Sequence, residues 1–496
     1  MSKLTRRRFL EDSMFATAAA AAATSVSGPL LAAEPQSKSP NERLSVAVVG
    51  VRGRGGSHLG AFSGRDDTEV TYICDPDERV GESRVKSTAE RQQGRAPKYV
   101  KDMREVFDDP SVDIVTVATP NHWHALCGIW AIQAGKDVYV EKPVSHNVSE
   151  GRRIVEAARK YGKIVQTGTQ SRSNPGMRDA IEYMHSGKLG NVTEARGLCY
   201  KRRRSIGDKG KYPVQSTIDY NLWLGPAPAP VPSEGETGFT TRRQFHYDWH
   251  WQFDYGNGDL GNQGIHQMDI CRWGLGVSDI GTGVLSYGGR LGYEDAGDVA
   301  NTQVCIHGYG DKMLIFEVRG LETNGYKGAN VGNIFTGSEG YLVMTSYNSG
   351  SAFDPDGNLV KKFSGGADHY DNFVKAVRSR NTDDLNADIE EGHLSSALCH
   401  LGNISYRLGS QVKLAEAPDR LASATLGESA EKASTLERFR EHLSENEVDP
   451  DNTEISLGAQ LAVDPAKESF VGNEKANAML TREYRAPFVV PAKDKV

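Results

Sequence analysis

The chain has 496 residues, 38% of them apolar, which is enough for two or three domains with substantial cores. Its formal net charge of −7 gives no global reason to expect a nucleic-acid partner. The six cysteines, at 74, 127, 199, 271, 305 and 399, form no C-x-x-C pair, which argues against a disulfide framework or a zinc site, and no residue set reads as a metal centre.

Residues 1–33 read as a twin-arginine signal peptide. Thr5-Arg6-Arg7-Arg8-Phe9-Leu10 carries the motif, an alanine-rich run over 16–23 follows, and Leu31-Ala32-Ala33 suits signal peptidase. An ordinary helical tail is the alternative; a membrane anchor fits the short, alanine-rich run less well. Residues 34–42 are a polar linker. The expected location is therefore outside the cytoplasm, periplasmic or extracytoplasmic, with the twin-arginine export machinery as a partner and no stable membrane span.

Residues 44–49 (LSVAVV) form the first strand of the mature fold. Gly50-Val51-Arg52-Gly53-Arg54-Gly55-Gly56 follows, then a helix through His58, Leu59 and Phe62. A strand, a glycine-rich turn and a helix bind a dinucleotide, because glycines let the backbone approach a pyrophosphate at the helix N-terminus. In the register from Gly50 to Gly55 the middle glycine of G-x-G-x-x-G is Arg52, and Gly53 takes over the close approach. Residues 70–74 form a second strand ending at Asp75. Its spacing suits a carboxylate that binds the adenosine ribose and repels a 2′-phosphate, which favours NAD. Arg52, Arg54 and Arg79 leave NADP open, and Asp75 also reads as a turn residue before Pro76. Residues 78–94 and 102–107 are helical.

Residues 114–144 (IVTVATPNHWHALCGIWAIQAGKDVYVEKPV) read as strand, turn, helix and strand. Glu141-Lys142-Pro143 sits at the carboxyl edge of the last strand, where open α/β sheets bind ligands. A desolvated lysine there can polarise or protonate a substrate oxygen; the alternative is a surface Glu-Lys pair capping a strand.

TPNHWHA followed by EKP resembles the Gfo/Idh/MocA oxidoreductases, which include glucose–fructose oxidoreductase and inositol dehydrogenase, over roughly residues 43–415. The resemblance implies an α/β fold: a Rossmann domain over 43–167, then an α/β domain with a large, mostly antiparallel open sheet over 168–419. It implies that Thr119, Pro120, Asn121, His124, Glu141 and Lys142 lie on the cofactor, with Lys142 between nicotinamide and substrate. It also places Gln170, near the crossover to the second domain, on the nicotinamide amide or ribose.

After helices over 150–161 and 174–185, residues 192–200 form a strand ending in Lys201-Arg202-Arg203-Arg204. These cations, Arg202 among them, read either as a solvated loop or as a wall of a sugar site that holds an anionic group such as a uronate. Asp259, Asn262, His266 and Asp269 follow steps of three, four and three, which predicts one helical face. A histidine between carboxylates suits proton transfer, with Asp259 or Asp269 as helper; a buried structural histidine is the alternative. By resemblance Gly264-Ile265-His266 aligns with the family's Gly-Ile-His. Asn262 then stands where the family carries an aspartate, and asparagine can hold a sugar hydroxyl but cannot take a proton. Trp249, Trp251 and Tyr255 offer faces for a sugar ring, or are core. Strands follow over 302–307, 312–318, 333–336 and 341–344. The resemblance makes their sheet a subunit interface, hence a homo-oligomer (dimer or tetramer). Helices over 369–379 and 391–408 return to the nucleotide domain. Residues 420–496 extend past the family core, with helices over 428–443 and 473–484 and an aromatic, proline-rich end that packs on the body or on a neighbour.

The expected function is an exported NAD(P)-dependent oxidoreductase acting on a sugar or sugar derivative. Hydride passes between a carbinol carbon and nicotinamide, Lys142 polarises the oxygen, His266 is the general acid or base, and Asn262 positions a hydroxyl. Little free cofactor exists outside the cytoplasm, so the cofactor is expected to be tightly bound and regenerated within the cycle. The alternatives are an NAD-dependent glycoside hydrolase or lyase, using transient oxidation and elimination, and a non-catalytic sugar-binding protein.

Overall fold

The computed structural model describes residues 42–228, 233, 236–426 and 429–496. The expected signal peptide, and the linker up to residue 41, lie outside the described residues. Among the described residues, no helix is long and apolar enough to cross a membrane.

The first domain is a parallel six-stranded sheet of β1 (Leu44–Val49), β2 (Thr68–Cys74), β3 (Lys98–Val100), β4 (Ile114–Val117), β5 (Asp137–Val140) and β6 (Val165–Thr167), in the order β3-β2-β1-β4-β5-β6. The central strands are β-branched and buried on both faces, as a doubly covered parallel sheet requires. Val46 and Val48 pack with Leu59 and Phe62 of the Gly53–Ser63 helix and with Phe373 of the returning His369–Ser379 helix. Ala47 and Val49 face the other layer, with Leu126 of the Asn121–Gln133 helix and Ile154 of the Val148–Lys160 helix. Strand order reverses between β1 and β4, which opens a crevice at the carboxyl ends of these strands.

The second domain starts with β7 (Val192–Tyr200). A long excursion carrying the short strands β8 (Tyr212–Pro213) and β9 (Phe239–Thr240) then folds back over the first domain. The sheet continues with β10 (Gly283–Gly289), β11 (Thr302–Tyr309), β12 (Lys312–Arg319), β13 (Val331–Gly337), β14 (Gly340–Met344), β15 (Ser349–Phe353) and β16 (Leu359–Ser364). Later come β17 (Ser410–Lys413), β18 (Glu454–Leu457), β19 (Leu461–Asp464) and β20 (Ser469–Phe470). The order is β16-β15-β14-β13-β7-β12-β11-β10-β18-β17, with β19 beside β10, and all pairs are antiparallel except β7 with β12. One face carries the Gly264–Leu275 and Ile389–Arg407 helices. On the other, Tyr287, Ile306 and Ile315 meet Leu436, Phe439 and Leu443 of the Ser429–Glu445 helix. This part of the sheet, expected at a subunit interface, is therefore covered by the chain's own extension.

Residues 420–496 are woven into both domains. β18 and β19 join the large sheet, while Phe488, Val490 and Val496 enter the core of the first domain. The helix expected over 473–484 is limited to Glu474–Ala478. Beyond Met479, Arg482 and Arg485 donate to the carbonyls of Asp254 and Gly225 in the excursion, and these tertiary contacts override local helical spacing. All six cysteines are free and buried.

Candidate active site

The turns that follow β1, β2, β4 and β5 surround a cavity of about 340 Å³ that extends from Arg52 and Asp75 to Lys142 and Asn262. Trp223, His246, Tyr247, Trp249 and His250 of the excursion form the opposite wall. The excursion is pinned down at Asp77, whose carboxylate receives Thr217 Oγ1 at 2.9 Å and pairs with His246 Nε2 at 3.0 Å.

Gly50 has φ +79°, and a Cβ there would lie 2.7 Å from the Ala118 carbonyl oxygen, while a Cβ on Gly55 would lie 1.8 Å from the Gly50 oxygen. These two glycines let the helix approach the strand. At Gly53, φ is +32° and a Cβ would meet nothing within 4 Å, so its backbone is open to the cavity. The Gly53–Ser63 helix has no side-chain N-cap and no acidic residue in its first turn. Its free N–H groups fit a diphosphate. Asp75 accepts from the Val51 and Asp77 N–H groups, both at 3.0 Å, and burial raises its pKa to about 6. Two backbone bonds leave acceptor capacity on the carboxylate for a ribose diol. Thr119 Oγ1, in the cavity wall, is buried without a partner among the described residues. The residues therefore fit a dinucleotide.

The two motif turns are joined by one side chain. The buried His124 ring lies between the Pro143 carbonyl, 2.5 Å from Nδ1, and the Thr119 carbonyl, 2.8 Å from Nε2. Pro120 and Asn121 line the same wall, and Asn121 Nδ2 donates to Asn257 Oδ1 at 3.4 Å. Glu141 receives Arg54 Nε at 2.7 Å and His58 Nε2 at 3.1 Å. Burial pushes its carboxyl up, but His58 and Arg54 outweigh burial and hold it far below the ordinary carboxylate value. Glu141 thus anchors the glycine turn, and Arg54 is engaged there rather than free for a 2′-phosphate. Arg79 reaches Gln215, and Arg52 remains beside Asp75.

Lys142 Nζ donates to the Asn262 carbonyl at 2.7 Å and to Asn262 Oδ1 at 3.1 Å. Burial lowers its pKa to about 8, against the pull of Glu141. An amine poised this close to neutrality can give or take a proton.

The single helical face expected over 259–269 is broken. The Gly258–Asn262 helix ends, and a new helix starts at Gly264. Asp259 is held by Arg203 through two bonds of 2.7 Å, and Asp269 by Arg172 at 2.8 and 2.9 Å and by Ser395. No hydrogen bond among the described residues joins either carboxylate to His266, so neither is its helper. The buried His266 ring lies 5.0 Å from that of Tyr347, and its Nδ1 has no partner among the described residues. Burial, with Lys142 adding to it, pushes the His266 pKa below the ordinary imidazole range. The cavity wall itself is lined by His250, not His266, and burial lowers the His250 pKa to about 3.

Three substrate expectations are corrected. Arg202 is exposed and pairs with Glu322. The period of two along the extended backbone turns Lys201 and Arg203 inward instead; Lys201 bonds Gln263, next to Asn262. Trp251 is buried with Ile206 and Ala296, under the Arg203 guanidinium. Tyr255 packs with Trp223 and Phe245. Bulky aromatics in an irregular segment carry no period that separates core from wall, and it is Trp249 and Trp223 that reach the cavity. Gln170 opens a short 3-10 helix outside the lining, with Oε1 buried and unpartnered among the described residues.

A model of an oxidoreductase family with an NAD-binding Rossmann fold matches residues 44–169, and a model of that oxidoreductase family's C-terminal alpha/beta domain matches 191–434. The chain is 32% identical over 96 residues to a levoglucosan dehydrogenase of Pseudarthrobacter phenanthrenivorans, covering 19% of this chain and 25% of that one. It is 27% identical over 187 residues to inositol 2-dehydrogenase of Salmonella typhimurium (36% and 54%) and 28% identical over 177 residues to a glycosyl hydrolase family 109 protein of Shewanella pealeana (32% and 38%). The matches thus span between a quarter and about half of these relatives. Among solved structures, the WlbA dehydrogenase of Chromobacterium violaceum, in complex with NADH and UDP-GlcNAcA, superposes with a TM-score of 0.54 at 19% identity, over 77% of this chain and 97% of that one. A levoglucosan dehydrogenase with NADH gives 0.53 at 16% identity, over 72% and 95%. Two models of one family, matched in chain order over about three quarters of the sequence, show that this chain belongs to the Gfo/Idh/MocA oxidoreductases, an NAD-binding Rossmann domain followed by that family's C-terminal α/β domain.

Proposed function

We propose that the protein is an exported NAD-dependent oxidoreductase of a sugar or sugar derivative, working with a tightly held cofactor. Bound NAD supplies the acceptor or donor of hydride. The observation that carries the reading is Lys142: its amine lies in the cavity wall, lowered toward neutrality and held by two oxygens of Asn262. Lys142 takes the proton of a carbinol oxygen during oxidation and returns it during reduction. Asn262 fixes the amine and offers its amide to a neighbouring hydroxyl. His266, one turn further on, is the second acid–base group of this reading, and His250 in the wall is its competitor. The similarity to sugar and inositol dehydrogenases supports the substrate class. Export rests on the Thr5–Leu10 motif, and Arg6→Lys with Arg7→Lys should leave the precursor in the cytoplasm.

A second reading, redox-neutral cleavage of a glycoside, is favoured by the similarity to glycosyl hydrolase family 109 proteins. One experiment separates the two. The purified mature protein is given a panel of sugars and glycosides while nicotinamide absorbance and released sugar are followed. Net reduction of the bound cofactor with an oxidised sugar as product supports the oxidoreductase. Free sugar without net redox change supports cleavage. No turnover of any sugar, and none by Lys142→Ala either, would sink both.

A further inference from the structure

The C-terminal tail forms part of the cavity wall, far from Lys142. Phe488, 1% exposed, lines the cavity with its ring edge-on to Trp123 at 5.3 Å. Trp130 lies behind it at 6.3 Å, and the guanidiniums of Arg485 and Arg104 cover it at 4.9 and 5.7 Å. Arg104 follows β3, the edge strand on one side of the sheet, whereas Lys142 follows β5 on the other. Phe488 therefore belongs to the Asp75 end of the cavity, with Met103 and Lys101. A carboxylate at the end of the second strand takes the adenosine ribose, and an apolar aromatic wall beyond it suits the flat face of the base.

The tail also fastens the neighbouring wall. Arg485 donates from Nε to the Gly225 carbonyl at 3.0 Å, and from its Nη atoms to Asn221 Oδ1 at 2.6 Å and the Asn221 carbonyl at 2.7 Å. That turn holds Leu222 and Trp223 against the cavity, where their carbonyls accept from Trp123 Nε1 at 3.0 and 3.1 Å. Val490 and Val496, buried in the first domain's core, anchor the tail beyond Phe488.

We propose that Phe488 and Arg485 are positioning residues for the wall that receives the adenosine half of the dinucleotide, Phe488 by packing behind Trp123 and Arg485 by fastening the Asn221–Gly225 turn, so that the tail sets how slowly the dinucleotide leaves. The inference rests on reading the cavity as the NAD site. It is tested on the full mature chain by chasing bound NADH with excess NAD and by titrating ADP-ribose, with melting of the nucleotide-free proteins as the check on fold. Phe488→Ala is expected to speed NADH release and weaken ADP-ribose binding, each by about tenfold or more. Arg485→Gln is expected to do the same by a smaller factor while the nucleotide-free protein still melts cooperatively. Wild-type release rates in both variants, or faster NADH release with unaltered ADP-ribose affinity, would overturn the proposal. If Phe488→Ala does not fold, Arg485→Gln decides alone. A wild-type protein that takes up neither NADH nor ADP-ribose would overturn the NAD reading itself.

Discussion

Lys142 Nζ lies 2.7 Å from the backbone carbonyl of Asn262, so the amine that follows β5 of the first domain is held by the second domain. The Asn262 amide oxygen, at 3.1 Å, adds a second neutral acceptor. Replacing it with a carboxylate favours the ammonium. Asn262→Asp is expected to raise the pH at which Lys142 titrates by about one to three units. A pH–rate profile measures this, and an unmoved inflection would show that Lys142 is not the titrating group.

The pH dependence of the wild type has a defined sign. Oxidation of a carbinol needs the neutral amine, so its kcat/KM should rise with pH through about 8. Carbonyl reduction needs the ammonium and should fall over the same window. Lys142→Ala should remove the inflection and lower turnover by about 10²–10⁴-fold, with NADH still bound.

Gly53 and Gly55 make opposite predictions. A Cβ at Gly55 collides with the Gly50 carbonyl oxygen at 1.8 Å, so Gly55→Ala should destabilise the fold by about 3 kcal/mol. At Gly53 there is room, and Gly53→Ala should change stability by only about 1 kcal/mol through its positive φ. It should nevertheless weaken NADH binding strongly, because the methyl occupies the path of the diphosphate. Urea unfolding and NADH titration, run together, distinguish the two effects.

Asp269 is a structural anion. It is buried and held by Arg172 and Ser395. Asp269→Ala leaves the buried Arg172 with Glu391 alone, at 2.9 Å, and should cost about 2 kcal/mol of stability. The inflection of the pH–rate profile should stay in place; its displacement would return Asp269 to the chemistry.

His250 and His266 compete for one role. Removing the true acid–base group should lower kcat by about 10²-fold or more, and removing the other should leave kcat within a small factor. His250→Gln and His266→Gln, measured on the same substrate, decide between them.

The elements were legible in the sequence because each rests on neighbours in the chain. Residues 44–49 and 114–117 are apolar runs rich in valine, the glycines from Gly50 to Gly55 mark a close turn into a helix, and Glu141-Lys142-Pro143 ends a strand. The division into a Rossmann domain and a mostly antiparallel sheet followed from these patterns and the resemblance they carry. The partner of each charge was not legible. Asp269 meets Arg172 across 97 residues, Arg54 meets Glu141 across 87, and Lys142 meets Asn262 across 120. Local periodicity predicted one polar face over 259–269; the break after Asn262 and two distant arginines dismantled it. The tail is the extreme case, since nothing between 480 and 496 announces contact with Trp123 or Asn221. Short-range pattern determines which segments become strands, turns and helices. Which buried ions and rings meet is decided only when the packed domains bring distant residues within hydrogen-bonding reach, because desolvated charge must find a partner wherever the fold places one.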